Sequence, residues 1–353
     1  MGLWPCPARA TIVYTGGTPL PPAPEESMRA IVITAPGGPE VLEEREIPSP
    51  EPGRGEALVR VRATALNRAD LLQRRGRYPT PPGAPSDVPG LEYAGVVERV
   101  GDEVRDRRPG DRVMGLVSGG GYAEYVRVHA RETVPVPPGL SLEEAAAVPE
   151  VFITAWDALF PRLHLAMGER LLIHAVGSGV GTAALQLAHA AGARTFGTAR
   201  SAWKLKRAAE LGLDVGIDSS HQDFSEVVAE RTGGEGVHAI MDLVGAEYLE
   251  ANLRSLAERG RQVVVGTVSG ARAEVDLSAL LRRRLTLVGT ALRTRPLEEK
   301  IEAARALERH ISPLLTSRRV RPVVDRVMPV EEVQAAHRAM EENENFGKIV
   351  LTW

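Results

Sequence analysis

From Met28 to about residue 150, short runs of alternating apolar and polar residues are separated by glycine and proline. The runs MRAIVIT, EALVRVRAT, YAGVVERVG, DRVMGL and YAEYVRV predict the strands of a small, twisted β-domain, because turn residues bound each of them. One segment between these runs, NRADLLQRRG, has helical spacing instead. Asn67 is its candidate N-cap and Gly76 its candidate stop.

The pattern changes after the segment LSLEEAAAVPE, where strand-like and helical runs begin to alternate. The runs RLLIHAV, RTFGTA, VGI, HAIMDLV, RQVVVGT and LTLVGTAL predict strands, and SAWKLKRAAELG and AEYLEANLRSLAERG predict helices between them. Parallel strands need a crossover connection, so this alternation predicts a parallel, doubly wound sheet. The tail has two more helical stretches and ends in a β-run, GKIVLTW, that can rejoin the first domain.

These patterns predict an α/β protein with two domains. We expect a β-rich domain over residues 28–150, completed by about 296–353, and the parallel-sheet domain over residues 151–295. Residues 1–27 contain TPLPPAPEES and lack both the charged start and the apolar core of a signal peptide. They are predicted to form a disordered extension.

Composition narrows the class of protein without naming a function. Apolar residues make up 43% of the 353 residues and the formal net charge is -3, which gives no electrostatic reason to expect a nucleic-acid or membrane partner. The one cysteine, Cys6, excludes a disulfide framework and a thiolate-rich zinc site. No apolar run reaches the roughly 20 residues of a membrane helix, so we expect a cytoplasmic protein.

A glycine cluster follows the first predicted strand of the parallel sheet, in RLLIHAVGSGVGTAALQLAHAAGAR. Gly177 and Gly179 begin a G-x-G-x-x-G pattern, but its third glycine is replaced by Thr182, so the motif alone is weak. Its position is informative, because ligands bind beyond the carboxyl ends of parallel strands and the following helix offers its positive end. A nucleophile elbow around Ser178 is rejected, since G-x-S-x-G would need glycine at Val176 and Val180.

The segment after the second predicted strand bears on the choice of dinucleotide. An NAD site usually has a carboxylate about 20 residues after the glycine turn, where it binds the ribose hydroxyls. Here Arg200, Ser201 and Lys204 follow the strand, and residues 193–209 contain no carboxylate. Two cations and a hydroxyl suit a 2'-phosphate, which favours NADPH over NADH. The alternative is a solvated basic helix start.

Six blocks follow one another along the chain: ALNRADLLQRRGRYPTPPG, PGLEYAGVVERVG, GGGYAEYV, AAAVPE, HAVGSGVGTAALQLA and NFGKIVL. In this order, from Met28 almost to Trp353, they resemble the quinone oxidoreductases of the medium-chain dehydrogenase/reductase superfamily, and most of all the subgroup of the p53-inducible quinone oxidoreductase. Turns of this family commonly read A-x-x-G-x-x-G, and Ala175, Ser178 and Gly181 hold those places. The resemblance implies a GroES-like catalytic domain beside a Rossmann domain, and NADPH-dependent reduction of quinones.

The same superfamily includes zinc alcohol dehydrogenases, so the metal is decided from this chain. Their zinc ligands include a cysteine where this sequence has Asn67 or a neighbour, and a histidine where it has Leu91. We therefore expect no metal site. Without a Lewis acid, the acceptor should already be electron-poor, as a quinone or activated alkene is. Two alternatives remain open, namely reduction of α,β-unsaturated carbonyl compounds and a sensor that binds NADPH with little turnover.

The resemblance implies roles for individual residues. Asn67, Asp70 and Tyr78 should face the cleft, where Tyr78 can donate to a developing oxyanion. The alternatives are capping of their own helix for Asn67 and Asp70, and packing on prolines for Tyr78.

On the cofactor side, Thr154 is expected to begin a helix, and Gly266 and Thr267 to end a strand. Ser219 stands where relatives often have a tyrosine. The segment LTLVGTAL resembles the edge strand of a homodimer. The expected cofactor contacts are Thr154, Ser178, Gly179, Val180, Gly181, Arg200, Ser201, Lys204, Ser219, Gly266, Thr267, Leu292, Arg293, Gly347 and Lys348.

Overall fold

The computed structural model describes residues 27–353. Strand pairing begins at Ser27, which pairs with Pro48, one residue before the predicted start at Met28. The rest of the predicted N-terminal extension, including Cys6, lies outside the described residues. The strands are β1 (Ser27–Ile33), β2 (Leu42–Pro48), β3 (Glu56–Ala65), β4 (Glu92–Val100), β5 (Arg112–Leu116), β6 (Tyr125–His129), β7 (Val134–Pro135), β8 (Arg170–Ile173), β9 (Arg194–Ala199), β10 (Val215–Asp218), β11 (Val237–Asp242), β12 (Leu256–Val264), β13 (Thr286–Gly289), β14 (Val324–Pro329) and β15 (Lys348–Thr352).

Helices pack on both faces of the parallel sheet. Two of them begin at capping residues that the sequence indicates: Asn67 precedes the first helix and Ser178 the helix after the glycine turn. The α-helices are α1 (Arg68–Arg74), α2 (Leu142–Ala146), α3 (Pro149–Asp157), α4 (Gly179–Ala190), α5 (Ala202–Ala209), α6 (Phe224–Arg231), α7 (Leu249–Ser255), α8 (Leu277–Arg283), α9 (Leu297–Ala306), α10 (Ser312–Thr316) and α11 (Val333–Glu341). Of these, α3 and α4 pack on one face of the parallel sheet, and α6 and α7 pack on the other.

The first sheet joins the N-terminal half of the chain to its C-terminal end. Its strands lie in the order β14-β15-β3-β4-β5-β7, with β6 paired to β3, while β1 and β2 form a separate hairpin. The last strand, β15, pairs antiparallel with β3, and Leu66 N donates to Ile349 O at 2.9 Å. This pairing places Lys348, at the start of β15, beside the segment that leads from β3 into α1.

The second sheet is parallel and six-stranded, in the order β10-β9-β8-β11-β12-β13. This order reverses between β8 and β11, which is the doubly wound arrangement of nucleotide-binding folds. The carboxyl end of β8 therefore lies at the reversal point, where a crevice forms outside the sheet. The predicted fold class, a GroES-like domain combined with a Rossmann domain, is confirmed.

The ends of several predicted helices and strands differ from those in the structure. The predicted helix AEYLEANLRSLAERG is wrong after Ser255, because Leu256 is buried and pairs with Val237 at the start of β12. Thr154 does not begin a helix; it lies inside α3, which starts at Pro149. Gly266 and Thr267 do not end a strand either, since β12 stops at Val264 and both residues fall in the loop that follows.

One continuous hydrophobic core connects the two sheets. Alanines of β3 and β4 pack in the same cluster as α2, α3 and the strands of the parallel sheet, with Phe152 of α3 fully buried at the join. This shared core holds the glycine turn at a constant distance from the end of β3. Within residues 27–353, none of the helices has the length and apolar character needed to cross a bilayer.

Candidate active site

The glycine turn links β8 to α4 by close packing. Ser178 is the N-cap of α4, and its Oγ accepts a hydrogen bond from Gly181 N at 3.0 Å. A Cβ at position 181 would collide with the carbonyl oxygen of Ala175, so the helix can approach the strand only through glycine. The first turn of α4 leaves the amides of Gly179 and Val180 without intrahelical partners, as an anion site requires.

The glycine turn contacts the C-terminal strand. Gly347 N donates to Gly177 O at 2.9 Å, and Ser178 forms a bridge to Gly347. A Cβ at position 179 would lie 2.6 Å from Lys348 Cδ and 2.9 Å from Val151 Cγ1. The structure thus brings together four of the predicted residues, Ser178, Gly179, Gly347 and Lys348.

A cluster of cations lies where the second strand of the parallel sheet ends. Arg200 is exposed directly after β9, Ser201 precedes α5, and Lys204 packs on the turn, where a Cβ on Gly177 would lie 3.1 Å from Lys204 Cδ. Lys204 Nζ donates to Asn343 O at 2.6 Å, and Arg68 Nη2 donates to Asn343 Oδ1 at 2.8 Å. One loop residue therefore holds two cations close together.

Within residues 27–353 none of Arg68, Arg200 and Lys204 forms an ion pair, although the charge of Glu341 raises the pKa of Arg68 and that of Asp325 raises the pKa of Lys204. Burial lowers the pKa of Lys204, and the neighbouring guanidinium groups of Arg200 and Arg68 lower it further. The pKa of Arg68 is lowered in the same way, by burial first and then by Arg200. Ser219 lies at the same edge, because its amide donates to Ala199 O at 3.0 Å. An anion bound here would relieve the mutual repulsion.

A buried ion pair forms the centre of the site. Lys348 and Glu92 are 3% and 0% exposed, and Lys348 Nζ lies 2.7 Å from Glu92 Oε1. Asn67 bridges them: its Oδ1 accepts from Lys348 Nζ at 2.6 Å and its Nδ2 donates to Glu92 Oε1 at 2.9 Å. Lys348 Nζ also donates to Leu66 O. An ion pair buried this deeply persists only when such hydrogen bonds satisfy it.

Asp70 is fully buried beside this ion pair. Its carboxylate accepts from Asn67 N at 2.7 Å, from Gly90 N at 3.2 Å and from Tyr122 Oη at 3.3 Å. Burial raises the pKa of Asp70 to about 6, although the two amides favour the charged form. Asn67 and Asp70 together form the capping box of α1, as the alternative role expected, and neither lines the cavity described below, so their contact with a substrate stays a prediction.

A chain of buried hydrogen bonds extends from Asp70 to α11. Tyr122 Oη lies 3.4 Å from His337 Nε2, and His337 Nδ1 lies 3.1 Å from Arg74 Nη1. Arg74 can only donate, so Nδ1 accepts and the proton of the neutral ring is on Nε2. Burial, together with Arg74, lowers the pKa of His337 to about 3, which keeps the ring neutral. Arg74 continues the chain to Glu341 through an ion pair.

A small cavity lies between the first sheet and the segment after β13. Arg293 spans the cavity edge: its Nε donates to Ser118 O at 2.9 Å and its Nη2 to Gln73 Oε1 at 2.8 Å. Its guanidinium lies over the Tyr78 ring, 4.7 Å from the ring centroid. The lining residues are Leu91, Leu116, Val117, Ser118, Glu150, Leu292, Arg293, Arg295, Lys300 and Ala303.

Tyr78 is half-buried in the loop after α1 rather than packed only on its neighbouring prolines. Burial raises its pKa, the charges of Glu150 and Asp70 raise it further, and Arg293 opposes them. These interactions place Tyr78 near both carboxyl groups. Leu292 and Arg293 line the cavity, whereas Thr154 is buried within α3, and Gly266 lies in a loop where its amide donates to Asp242 O at 3.3 Å.

Three polar residues of this site are absent from the sequence prediction: Glu92, Tyr122 and Glu150. Glu92 Oε2 accepts from Glu150 N at 2.9 Å, which links the buried ion pair to the cavity. Burial raises the pKa of Glu150 to about 8, with the charge of Glu92 as the next cause. A signal was available for two of them, because Glu92 and Glu150 are the single charged residues of the blocks LEYAGVV and AAAVPE. That pattern does not show which of these residues lie close together in the folded chain.

Comparisons with known proteins show which family the chain resembles. The family model for an alcohol dehydrogenase GroES-like domain matches residues 53–138, and the model for a zinc-binding dehydrogenase matches residues 179–309. The synaptic vesicle membrane protein VAT-1 homolog of Rattus norvegicus is 34% identical over 343 residues, covering 92% of this chain and 84% of the relative. A quinone oxidoreductase of Pseudomonas aeruginosa is 34% identical over 328 residues, covering 92% and 99% of the two chains. The chain belongs to the medium-chain dehydrogenase/reductase superfamily.

Membership of the medium-chain dehydrogenase/reductase superfamily makes the protein an oxidoreductase with a site for a nicotinamide cofactor. A solved mycobacterial structure, Rv1454c complexed with NADPH, is 32% identical, has a TM-score of 0.81 and covers 92% of this chain and 100% of its own. Within residues 27–353 of this superfamily member, no group of three or more His, Cys, Asp or Glu side chains is arranged to hold a metal ion.

Proposed function

We propose that this protein is an NADPH-dependent quinone oxidoreductase that transfers hydride without a metal ion. One chain of contacts carries the proposal. It runs from Gly179 in the glycine turn to the side chain of Lys348, on to Asn67 and Glu92, and from Glu92 to Glu150 at the cavity. The dinucleotide turn and the cavity are therefore two ends of one site.

The residues present fit a dinucleotide that carries a 2'-phosphate. A Cβ at Gly181 would collide with Ala175, which supports a turn of close backbone approach, and the cations Arg68, Arg200 and Lys204 lie together without an ion pair among the described residues. Ser178 to Gly181 would hold the pyrophosphate, and Arg200, Ser201 and Lys204 the 2'-phosphate. When bound, the nicotinamide supplies hydride.

The chain's own residues position the acceptor. Leu91, Leu116, Val117 and Leu292 are apolar walls of the cavity, and Glu150, Arg293, Arg295 and Lys300 are its charged lining. Arg293 also holds the loop that carries Tyr78, through the Tyr78 carbonyl and the face of its ring, so Tyr78 is the proposed hydrogen-bond donor to an oxygen of the acceptor. Asn67 and Asp70 fix the start of α1.

The absence of ligating side chains at two positions supports an acceptor that needs no metal. Leu91 cannot ligate a metal, and Asn67 already bonds Lys348 and Glu92 through its amide. An electron-poor acceptor such as a quinone accepts hydride without a Lewis acid. An α,β-unsaturated carbonyl compound is the second candidate, because Glu150 at the cavity can supply the proton that its reduction also requires.

The test is an assay of NADPH oxidation by absorbance at 340 nm. Purified protein is mixed with NADPH or NADH and with an ortho-quinone, a para-quinone or a crotonyl thioester. We expect turnover with at least one quinone and a higher kcat/KM with NADPH. Turnover with the thioester alone would establish the enone alternative, and cofactor binding without any turnover would establish the sensor. Metal analysis of the same sample should find no stoichiometric zinc.

A further inference from the structure

We propose that Glu150 is the acid that protonates the reduced acceptor. This inference rests on the proposed hydride-transfer function and adds the source of the second hydrogen. Glu150 lies in the first turn of α3 and its side chain lines the cavity together with Leu91, Leu292 and Arg293. It is therefore placed to touch a molecule bound there.

The two nearest buried cations are fully committed to other groups. The three protons of Lys348 Nζ are directed at Leu66 O, Asn67 Oδ1 and Glu92 Oε1. Arg293 uses its N–H groups on Ser118 O, Gln73 Oε1, Thr80 Oγ1 and the carbonyls of Tyr78 and Pro79. Across residues 27–353 the carboxyl group of Glu150 forms no ion pair, and the charges of Lys348 and Arg293 only partly oppose the rise in its pKa.

The start of α3 does not stabilise a charged Glu150 either. The amide of Glu150 donates to Glu92 Oε2 at 2.9 Å, so the carboxylate held at this helix terminus is that of Glu92. Burial and that neighbouring negative charge raise the pKa of Glu150 to about 8, so the carboxyl group is mostly protonated at neutral pH. The charged or titratable groups around it are Asp70, Tyr78, Glu92, Arg293, Arg295, Lys300 and Lys348.

The remaining cations at the cavity are also occupied. Lys300 Nζ donates to Ser118 Oγ at 2.7 Å, and Arg295 Nη2 donates to Asp157 Oδ2 at 2.7 Å. Neither side chain forms a hydrogen bond or an ion pair with the Glu150 carboxyl group, so neither stabilises its charged form in this way. A carboxylic acid with an elevated pKa, enclosed next to a substrate cavity, is the usual form of a general acid at neutral pH.

The step balances in atoms and electrons. When bound, the reduced nicotinamide would supply the acceptor with one hydride, that is, two electrons and one proton, which leaves a negative charge on the acceptor oxygen. The O–H bond of Glu150 then breaks as a new O–H bond forms on that oxygen, giving a hydroquinone, or an enol if the acceptor is an enone. Glu150 becomes a carboxylate, and a proton from solvent restores the acid before the next turnover.

The other acidic groups are less suited to this step. Asp70 does not line the cavity, and its carboxylate is occupied by Asn67, Gly90 and Tyr122. The pKa of Tyr78 is raised above its ordinary value by burial, which makes the phenol a good hydrogen-bond donor but a weak acid. Tyr78 can orient the acceptor oxygen while Glu150 supplies the proton.

The test compares Glu150→Gln, which keeps the shape but has no acidic proton, with Glu150→Asp, which keeps an acid. Glu132→Gln is the matched control, because Glu132 is another carboxyl group whose pKa burial raises but which does not line the cavity. The first readout is infrared spectroscopy of the cofactor-free proteins. We expect a protonated-carboxyl band that disappears as the pH rises through about 8, present in wild type and Glu132→Gln and absent in Glu150→Gln.

The second readout is the pH profile of kcat with a quinone. In wild type, kcat should fall as the pH rises through about 8, because the acid loses its proton. Glu150→Gln should lack this alkaline limb, that is, the fall of kcat above about pH 8. Its kcat should be lower by about 100-fold, and its Kd for NADPH should stay within about twofold of the wild-type value. Glu150→Asp should retain the limb.

Two results would overturn the inference while leaving the proposed function intact: an infrared band that persists in Glu150→Gln, or an active Glu150→Gln with an unchanged alkaline limb and kcat within about threefold of wild type. If none of the tested acceptors supports NADPH oxidation by wild type, the proposed function fails. The role of Glu150 as proton donor then fails with it, whatever the infrared result. The two failures are therefore distinguishable.

Discussion

The side chain of Lys348 passes directly over Gly179: a Cβ at position 179 would lie 2.6 Å from Lys348 Cδ. The glycine turn and the last strand of the chain are thus packed against each other with no room for a methyl group. Lys348 cannot easily move aside, because its Nζ is held by Asn67 and Glu92. If the cofactor binds at this turn as proposed, its binding should be coupled to the buried ion pair through this contact between Gly179 and Lys348.

Gly179→Ala tests this contact. The added methyl group must displace Lys348 or Val151, so we expect the free energy of unfolding to fall by about 1–3 kcal/mol and the Kd for NADPH to rise at least about tenfold. Urea unfolding and NADPH fluorescence titration measure the two effects. Gly216→Ala is the control, since its Cβ would meet Leu205 Cβ at an ordinary 3.4 Å. Equal behaviour of the two variants would show that the turn can relax.

The buried ion pair between Lys348 and Glu92 should be costly to break from one side. Lys348→Met leaves the Glu92 carboxylate unpaired, so we expect a loss of about 3–5 kcal/mol in the free energy of unfolding. The double variant Lys348→Met with Glu92→Gln should recover much of that loss, because no charge remains buried. Arg54→Met, which breaks an exposed ion pair with Glu103, should cost less than about 1 kcal/mol. A double variant less stable than Lys348→Met would contradict this account.

The cation cluster should select the cofactor. Arg200→Ala and Lys204→Ala each remove a charged partner of the 2'-phosphate, so the Kd for NADPH should rise about 10- to 100-fold while that for NADH changes little. Lys206→Ala is the control, an exposed cation of the same helix. Fluorescence titration with both cofactors measures the ratio. Equal losses for NADPH and NADH would mean that the phosphate lies elsewhere.

His337 should make stability depend on pH. Its pKa is about 3 in the folded protein and about 6.5 when unfolded, so the unfolded chain binds one more proton as the pH falls below about 6.5. The contribution of His337 is present above that pH and is lost progressively down to about pH 3. His337→Gln should therefore be less stable than wild type at pH 8, with the deficit smaller by about 2 kcal/mol at pH 5. A deficit that does not change with pH, in urea unfolding at both values, would refute this.

The edge strand β13 carries the predicted homodimer, which remains a proposal. Leu287 of β13 is 36% exposed, and Leu281 of the preceding helix α8 is 78% exposed. We expect sedimentation at twice the chain mass, and a shift to monomer in Leu287→Glu, because a charge on an edge strand opposes pairing with another edge. Met167→Glu, at an apolar residue 84% exposed elsewhere, should remain dimeric. A wild-type monomer would rule out this interface.

Local patterns predicted much of this fold. The strand RTFGTA has the predicted bounds, Asn67 caps the predicted helix, and Gly76 follows it with a positive φ of 69°. Caps and hydrophobic periodicity depend on neighbours within a few residues, which is why they can be interpreted one segment at a time. The wrong boundary at Leu256 has the opposite cause, because a strand partner distant in sequence outweighed helical spacing.

The sequence by itself determined the two-sheet architecture, the glycine turn and the cations after β9, because each depends on residue type and short-range spacing. Only the tertiary structure decided which polar groups form one site. Glu92, Glu150 and Lys348 lie on three separate elements, and Lys348 is 281 residues from Asn67, to which it donates. The protonation of Glu150 depends on where the protons of Lys348 and Arg293 are directed. A charge loses its hydration and meets its partners only when the chain has folded around it.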